Sequence, residues 1–243
     1  MTPHMHPGVK GPSASLSLSV AHMHMTVKMT LLDRLPPMLN RYARALFTRI
    51  FTPVATLLLR LGVGPDAVTL VGTVGVCAGA LVFYPRGQLL VGTLVITAFV
   101  FSDTLDGIMA RKLERRGPWG AFLDSTLDRF ADAAVFGGLV LWFFGGGDDR
   151  VTALLALLCL ILGGIVPYAR ARAEGLGMTA SVGIAERADR LVAVLVATGL
   201  VGLGLPRIVL TVVLGLLAAA SLVTVVQRML VVRKQAMALA EPT

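Results

Sequence analysis

The chain has two cysteines and, beyond residue 24, no histidine at all. Cys77 and Cys159 each lie inside an apolar run, so they read as small core residues and not as a disulfide framework or a thiolate metal pair. His4, His6, His22 and His24 complete the histidine count. The body of the chain therefore has no imidazole to serve as a base or ligand. Any metal held there must be bound by oxygen, which favours hard cations such as Mg²⁺ or Mn²⁺. The apolar runs are continuous and do not alternate, which excludes a transmembrane barrel. The net charge of +8 comes with no nucleic-acid recognition motif. No nucleic-acid partner is expected, and the surplus is read as Lys and Arg flanking membrane spans. No apolar stretch follows a basic start as a signal peptide requires.

Hydrophobic residues make up 56% of the 243 positions, and the mean hydropathy is +0.79. Soluble domains sit nearer about 45–50% apolar, and several runs here exceed the roughly 18 residues that span a bilayer. The expected fold is an all-α integral membrane protein with six transmembrane helices, near 67–84, 88–110, 120–144, 151–173, 186–204 and 207–230. An interfacial amphipathic helix over 38–62, "MLNRYARALFTRIFTPVATLLLRLG", precedes them, kinked near Pro53. Residues 1–37 read as a disordered extension, with Met38 as the working start. Residues 63–235 form the six-helix domain and 236–243 a C-terminal tail.

The short connectors between spans one and two, three and four, and five and six carry only Arg86, Arg150 and Arg207. Arg111, Lys112, Arg115, Arg116, Arg170, Arg172, Arg187, Arg190 and the bases from Arg228 to Lys234 fall on the other side. The positive-inside rule then places that side, with both termini, in the cytoplasm of a multi-pass cell-membrane protein. Gly75 and Gly79 form a Gly-x-x-x-Gly pair, expected to serve packing within the bundle before a dimer face.

Five aspartates crowd "SDTLDGIMARKLERRGPWGAFLDSTLDRFAD", residues 102–132. Asp103 and Asp106 are three apart, and Asp124 and Asp128 four apart, so each pair shares a helix face. A short antiparallel connection turns the two faces together, and Asp132 extends the second stripe one turn deeper. An Asp at a span's centre is disfavoured by roughly 2.5–3.5 kcal/mol, and close anions repel. Two divalent cations would offset both penalties, and a metal pair is a standard device of phosphoryl transfer. Gly107 lets a ligand approach the backbone, and Arg111, one turn on, suits bidentate phosphate binding. Salt bridges to Arg111, Lys112, Arg115, Arg116 and Arg129 are the plain alternative. They leave unexplained why the carboxylates keep helical spacing while the bases cluster in the loop.

The pattern Asp103-x2-Asp106-Gly107-x2-Ala110-Arg111-x8-Gly120-x3-Asp124-x3-Asp128 resembles the complete signature of the CDP-alcohol phosphotransferases. The resemblance implies six transmembrane helices, usually in a homodimer. It implies that Asp103, Asp106, Asp124 and Asp128 bind two Mg²⁺ ions, or Mn²⁺ in their place, with Asp128 also the catalytic base. Gly107 and Arg111 would contact the CDP group, as would the turn Gly64, Pro65, Asp66 and Ala67. Gly117 falls where relatives often have Ser or Thr, so a contact there would come from backbone.

A second basic cluster lies on the same side: Arg170 and Arg172, Arg187 and Arg190, then Arg228. It suits an anionic acceptor such as a polyol phosphate, with positive-inside anchoring the plain alternative. Across residues 38–235 the chain is similar to the actinobacterial phosphatidylinositol-phosphate synthases within that family. The matching pieces include "FLDSTLDRFAD", "YARARAEGLG", "ERADRL" and "VQRML". This implies CDP-diacylglycerol as donor, inositol phosphate as acceptor, and Arg170, Arg187, Arg190 and Arg228 as acceptor-phosphate ligands. Relatives commonly have Lys where Arg170 stands and Ser where Pro167 stands. A phosphatidylglycerophosphate or cardiolipin synthase stays open within the family. Outside it, an ion or proton relay along Asp103 to Asp132 and a purely structural scaffold stay open.

Overall fold

The computed structural model describes residues 51–113, 117–184 and 186–240; for 102–104 and 240 it describes the backbone alone. Among the described residues the structure is helical, with no strand. Helix α1 (Phe51–Arg60) ends in a left-handed turn at Gly62, φ 79°. There the amide of Val63 donates to the Leu58 carbonyl and that of Gly62 to Leu59, a Schellman closure that only glycine accommodates cheaply. The expected helix over 38–62 is thus described only for its second part. The segment before Phe51, where the kink would be judged, lies outside the described residues.

Seven helices follow: α2 (Pro65–Phe83), α3 (Leu89–Val100), α4 (Ser102–Lys112), α5 (Pro118–Phe144), α6 (Arg150–Glu174), α7 (Arg187–Gly202) and α8 (Ile208–Ala240). Proline starts both α2 and α5, where its missing N–H costs nothing. The second expected span is two helices that meet at Phe101. Ser102, Asp103 and Thr104 follow the joint, residue types whose side chains compete for backbone groups and weaken helices. The last helix runs to Ala240, across the expected start of the tail at 236, through Gln, Ala, Met and Leu, all strong helix formers.

Four stretches are long and apolar enough to cross a membrane: Pro65–Arg86, Leu89–Lys112, Arg150–Glu174 and Ile208–Leu239. The third and fifth expected spans are not among them, for physical reasons. Helix α5 has 27 residues but carries Asp124, Asp128 and Arg129 in its first half and Asp132 just past its midpoint. Helix α7 has 16 residues, about 24 Å of helix against roughly 30 Å of hydrocarbon.

Neighbour pairs close a ring: α2 on α5, α5 on α6, α6 on α8, α8 on α7, α7 on α3 and α3 on α2. One core joins all six, from Val76 and Ala80 through Ile96, Val135, Leu139, Cys159 and Val194 to Leu214. A smaller cluster of Ala55, Val68, Ile108 and Met109 seats α1 against α2 and α4. Backbones approach closely where glycine permits. A Cβ on Gly75 would sit 2.3–2.5 Å from the Phe99 ring, and one on Gly202 2.4 Å from the amide nitrogen of Leu90. The Gly75/Gly79 pair therefore faces α3 inside the bundle.

Alternating helix directions gather the two kinds of loop at opposite ends. At one end Arg207 donates to the Gly147 carbonyl at 2.7 Å. Asp149 caps α6 there by accepting from the Thr152 amide at 3.0 Å and its hydroxyl at 2.6 Å. The other end, formed by the starts of α2, α5 and α7 and the ends of α4 and α6, carries the predicted site.

Candidate active site

Helix α4 presents Asp106, 7% exposed, toward α2. The Thr69 hydroxyl donates to Asp106 Oδ2 at 2.6 Å, a hydrogen bond that helps satisfy and orient this buried carboxylate. Asp103 lies on the same helix; its side chain is outside the described set. Gly107 follows, and the Arg111 guanidinium folds back to within 3.7 Å of where a Gly107 Cβ would stand. The two predicted nucleotide contacts are therefore adjacent.

The first turns of α2 and α5 lie side by side, because Trp119 Nε1 donates to Asp66 Oδ2 at 3.1 Å. Both turns point unpaired backbone N–H groups and the positive end of a helix dipole toward this face. Gly64 is the residue before α2 and Gly117 the residue before α5. A Ser or Thr at 117 would cap the helix with its side chain; glycine leaves the amides to other acceptors. Lys112 Nζ donates to the Thr56 hydroxyl, tying α1 beside the same opening.

Along α5 the aspartates sink stepwise. Asp124 and Asp128 are half-buried, and Asp132 is buried. Arg187 spans the lower two: its Nη1 is 2.9 Å from Asp128 Oδ1 and its Nε 3.1 Å from Asp132 Oδ1. Arg190 Nη2 lies 3.3 Å from Asp132 Oδ2. Among the described side chains no three carboxylates, thiols or imidazoles are gathered closely enough to hold an ion by themselves. The donors present are carboxylate oxygens alone, which is the chemistry that fits a hard divalent cation.

The four predicted acceptor arginines divide by depth. Arg170 is partly open and pairs with Glu174 at 2.9 Å, and Arg187 is partly open over Asp128. Arg190 is 1% exposed and Arg228 4% exposed. Arg228 donates through Nε to the Val182 carbonyl at 2.9 Å and through Nη1 to that of Val166. It works with two α8 neighbours. Gln235 exchanges two hydrogen bonds with the Thr179 backbone, 2.7 and 2.9 Å, and Thr224 accepts from the Ile184 amide at 3.1 Å. A polar stripe on α8 thus straps down the segment that leads into Arg187. Sequence reasoning missed Thr69, Trp119, Thr224 and Gln235. Each acts on a partner tens of residues away, and only the polarity of Thr224 and Gln235 on a mostly apolar helix hinted at a role.

Residues 63–183 match the sequence profile of the CDP-alcohol phosphatidyltransferases. The chain is 55% identical over 204 residues to a phosphatidylinositol phosphate synthase of Streptomyces avermitilis, covering 82% of this chain and 84% of that one. The chain belongs to this family. A CDP-alcohol phosphatidyltransferase is an enzyme, which sets aside the relay and the scaffold. The phosphatidylinositol phosphate synthase of Cutibacterium acnes is 48% identical over 198 residues, covering 79% of this chain and 96% of that one. The fold agrees. The crystal structure of the Mycobacterium tuberculosis phosphatidylinositol phosphate synthase with CDP-DAG bound superposes with a TM-score of 0.73 at 42% identity, covering 76% of this chain and 94% of that one. The same protein in complex with manganese and citrate gives 0.72 at 41%, covering 75% and 88%.

Proposed function

We propose that this CDP-alcohol phosphatidyltransferase moves the phosphatidyl group of CDP-diacylglycerol to inositol phosphate, forming phosphatidylinositol phosphate and releasing CMP. The observation that carries this is the placement of Asp128: it belongs to the family signature and is in direct contact with Arg187 of the basic cluster. Signature and basic cluster are therefore parts of one site.

The donor's acyl chains stay in the bilayer while its CDP head meets the ring's polar end. The turn from Gly64 to Ala67, through the N–H groups of Gly64, Asp66 and Ala67 with Pro65 setting its shape, and the Gly117 backbone face its phosphates; Gly107 permits close approach and Arg111 neutralises charge. Asp103, Asp106, Asp124 and Asp128 would hold two Mg²⁺ ions, or Mn²⁺. When bound, they neutralise the diphosphate and the oxygen that leaves with CMP. Thr69 keeps Asp106 at a fixed rotamer for that task. Arg170 and Arg187 offer guanidinium donors to the acceptor phosphate, with Arg190 and Arg228 behind them. Asp128 accepts the proton of the inositol hydroxyl as its oxygen bonds to the lipid-bearing phosphorus and the bond to CMP breaks. Positioning and charge neutralisation supply most of the acceleration.

Six helices in a closed ring support a six-span arrangement in which α5 and α7 also cross. Shielding by their neighbours lets the charged half of α5 sit at the membrane surface. The Lys/Arg asymmetry supports a cytoplasmic site with both termini on that side. Family membership extends the proposal to a homodimer, which sedimentation in detergent tests.

Asp128→Asn removes the base and one metal ligand without changing size. It is expected to abolish CMP release while thermal unfolding in detergent stays near wild type. A folded Asp128→Asn protein turning over at near wild-type rate would overturn the base assignment.

A further inference from the structure

Pro167 stands inside α6. A proline has no N–H, so the carbonyl four residues earlier, that of Gly163, loses its helical donor. Two arginines from other helices take its place. Arg129 Nη1, from α5, donates to the Gly163 oxygen at 3.2 Å, and Arg190 Nη2, from α7, at 3.4 Å. The Arg190 guanidinium lies against Gly163 itself, where an added Cβ would be 3.5–4.0 Å from its Nη2, Cζ and Nε.

The contacts continue to the active site. Arg190 Nη2 also reaches Asp132 Oδ2 at 3.3 Å; Asp132 Oδ1 holds Arg187 Nε at 3.1 Å; Arg187 Nη1 reaches Asp128 Oδ1 at 2.9 Å. Asp132 is 6% exposed, so this run of charges is buried until it reaches Arg187. Two guanidiniums hold one buried carboxylate, a third, that of Arg129, shares the Gly163 carbonyl, and among the described residues Arg190 Nε and Nη1 have no hydrogen-bond partner. Like charges in a poorly solvated site repel strongly. The Gly163 carbonyl is therefore a large share of what keeps Arg190 in place.

We propose that Pro167 is a positioning residue for the acceptor site: by freeing the Gly163 carbonyl it anchors Arg190, and through Asp132 it sets where Arg187 meets the acceptor phosphate. An ordinary residue at 167 returns an N–H to Gly163, and the carbonyl then has room for one guanidinium in place of two. Arg190 and Asp132 shift, and Arg187 shifts with them. The backbone proposed to face the donor's phosphates, at the starts of α2 and α5, takes no part in these contacts; the run meets the proposed metal site only at its far end, Asp128. The inference rests on the phosphorylated acceptor proposed above.

The test compares wild type with Pro167→Ala in detergent, measuring KM for inositol phosphate, KM for CDP-diacylglycerol, and thermal unfolding. Alanine restores the helical hydrogen bond, so the unfolding temperature is expected to hold or rise. KM for inositol phosphate should rise about tenfold, the scale of one charge-assisted hydrogen bond. KM for CDP-diacylglycerol should stay within about twofold, since Pro167 is separated from the donor's side by Arg190, Asp132 and Arg187 and distant changes couple weakly. Pro167→Ser, which also restores the N–H, should repeat the split, and it serves if the alanine variant does not fold. An unchanged acceptor KM in a folded variant, or an equal rise in both KM values, overturns the inference. Wild type that uses glycerol 3-phosphate and not inositol phosphate overturns the proposed acceptor instead, and the same KM split is then read with glycerol 3-phosphate. Wild type inactive with both overturns the two together.

Discussion

Thr69 on α2 donates a 2.6 Å hydrogen bond to Asp106 on α4, across 37 residues of sequence. Asp106 is nearly inaccessible, so this donor contributes to the orientation of a predicted metal ligand. Thr69→Val keeps the shape and removes the donor. A hydrogen bond to a charged group contributes about 1.5–3 kcal/mol. The half-saturating Mg²⁺ concentration for CMP release should therefore rise about tenfold or more, and Thr69→Ser should restore it. An unshifted Mg²⁺ curve in Thr69→Val would separate Thr69 from the metal site.

Gly75 faces the Phe99 ring within the bundle. Gly75→Leu must displace that ring, and overpacking of this kind costs about 1–3 kcal/mol. Chemical or thermal unfolding in detergent should show the loss, while the oligomeric state stays that of wild type. Loss of the oligomer with unchanged stability would instead put Gly75 on a subunit interface.

Asp149 caps α6 at the end opposite the site. The Thr152 hydroxyl, and then the Thr152 amide, hold its carboxyl below the usual range. A lowered folded pKa gives stability that is present above the unfolded value, near about 3.9, and is lost as pH falls through the folded one. Asp149→Ala should cost about 1 kcal/mol at neutral pH. The gap from wild type should narrow below about pH 4. A gap that stays constant down to pH 3 would show that the carboxylate charge is irrelevant to the cap.

Much of the site was legible because its chemistry is written in local spacing. Asp124, Asp128 and Asp132 repeat every four residues, and the deepening burial of that stripe follows the helix directly. Gly107 and Arg111 are likewise one turn apart and adjacent in space. The break at Phe101 was not legible: apolar character falls from α3 to α4, but such a fall accompanies a continuous helix leaving the bilayer as readily as a break. Nor was the division among the arginines. Arg187 and Arg190 sit three apart in one motif, yet one is partly open and the other sealed by α5 and α6. Charge and spacing are the same in both; only the packing of other helices separates them. The freed Gly163 carbonyl could be inferred from Pro167, but its two occupants come from helices far along the chain.

The most direct measurement is CMP release by the full chain in detergent with Mg²⁺ and CDP-diacylglycerol, offering inositol phosphate, glycerol 3-phosphate or free inositol in turn. Release with inositol phosphate alone is the predicted result and would give the arginine cluster its role. Release with glycerol 3-phosphate or free inositol in its place would keep the aspartate site and contradict the proposed acceptor.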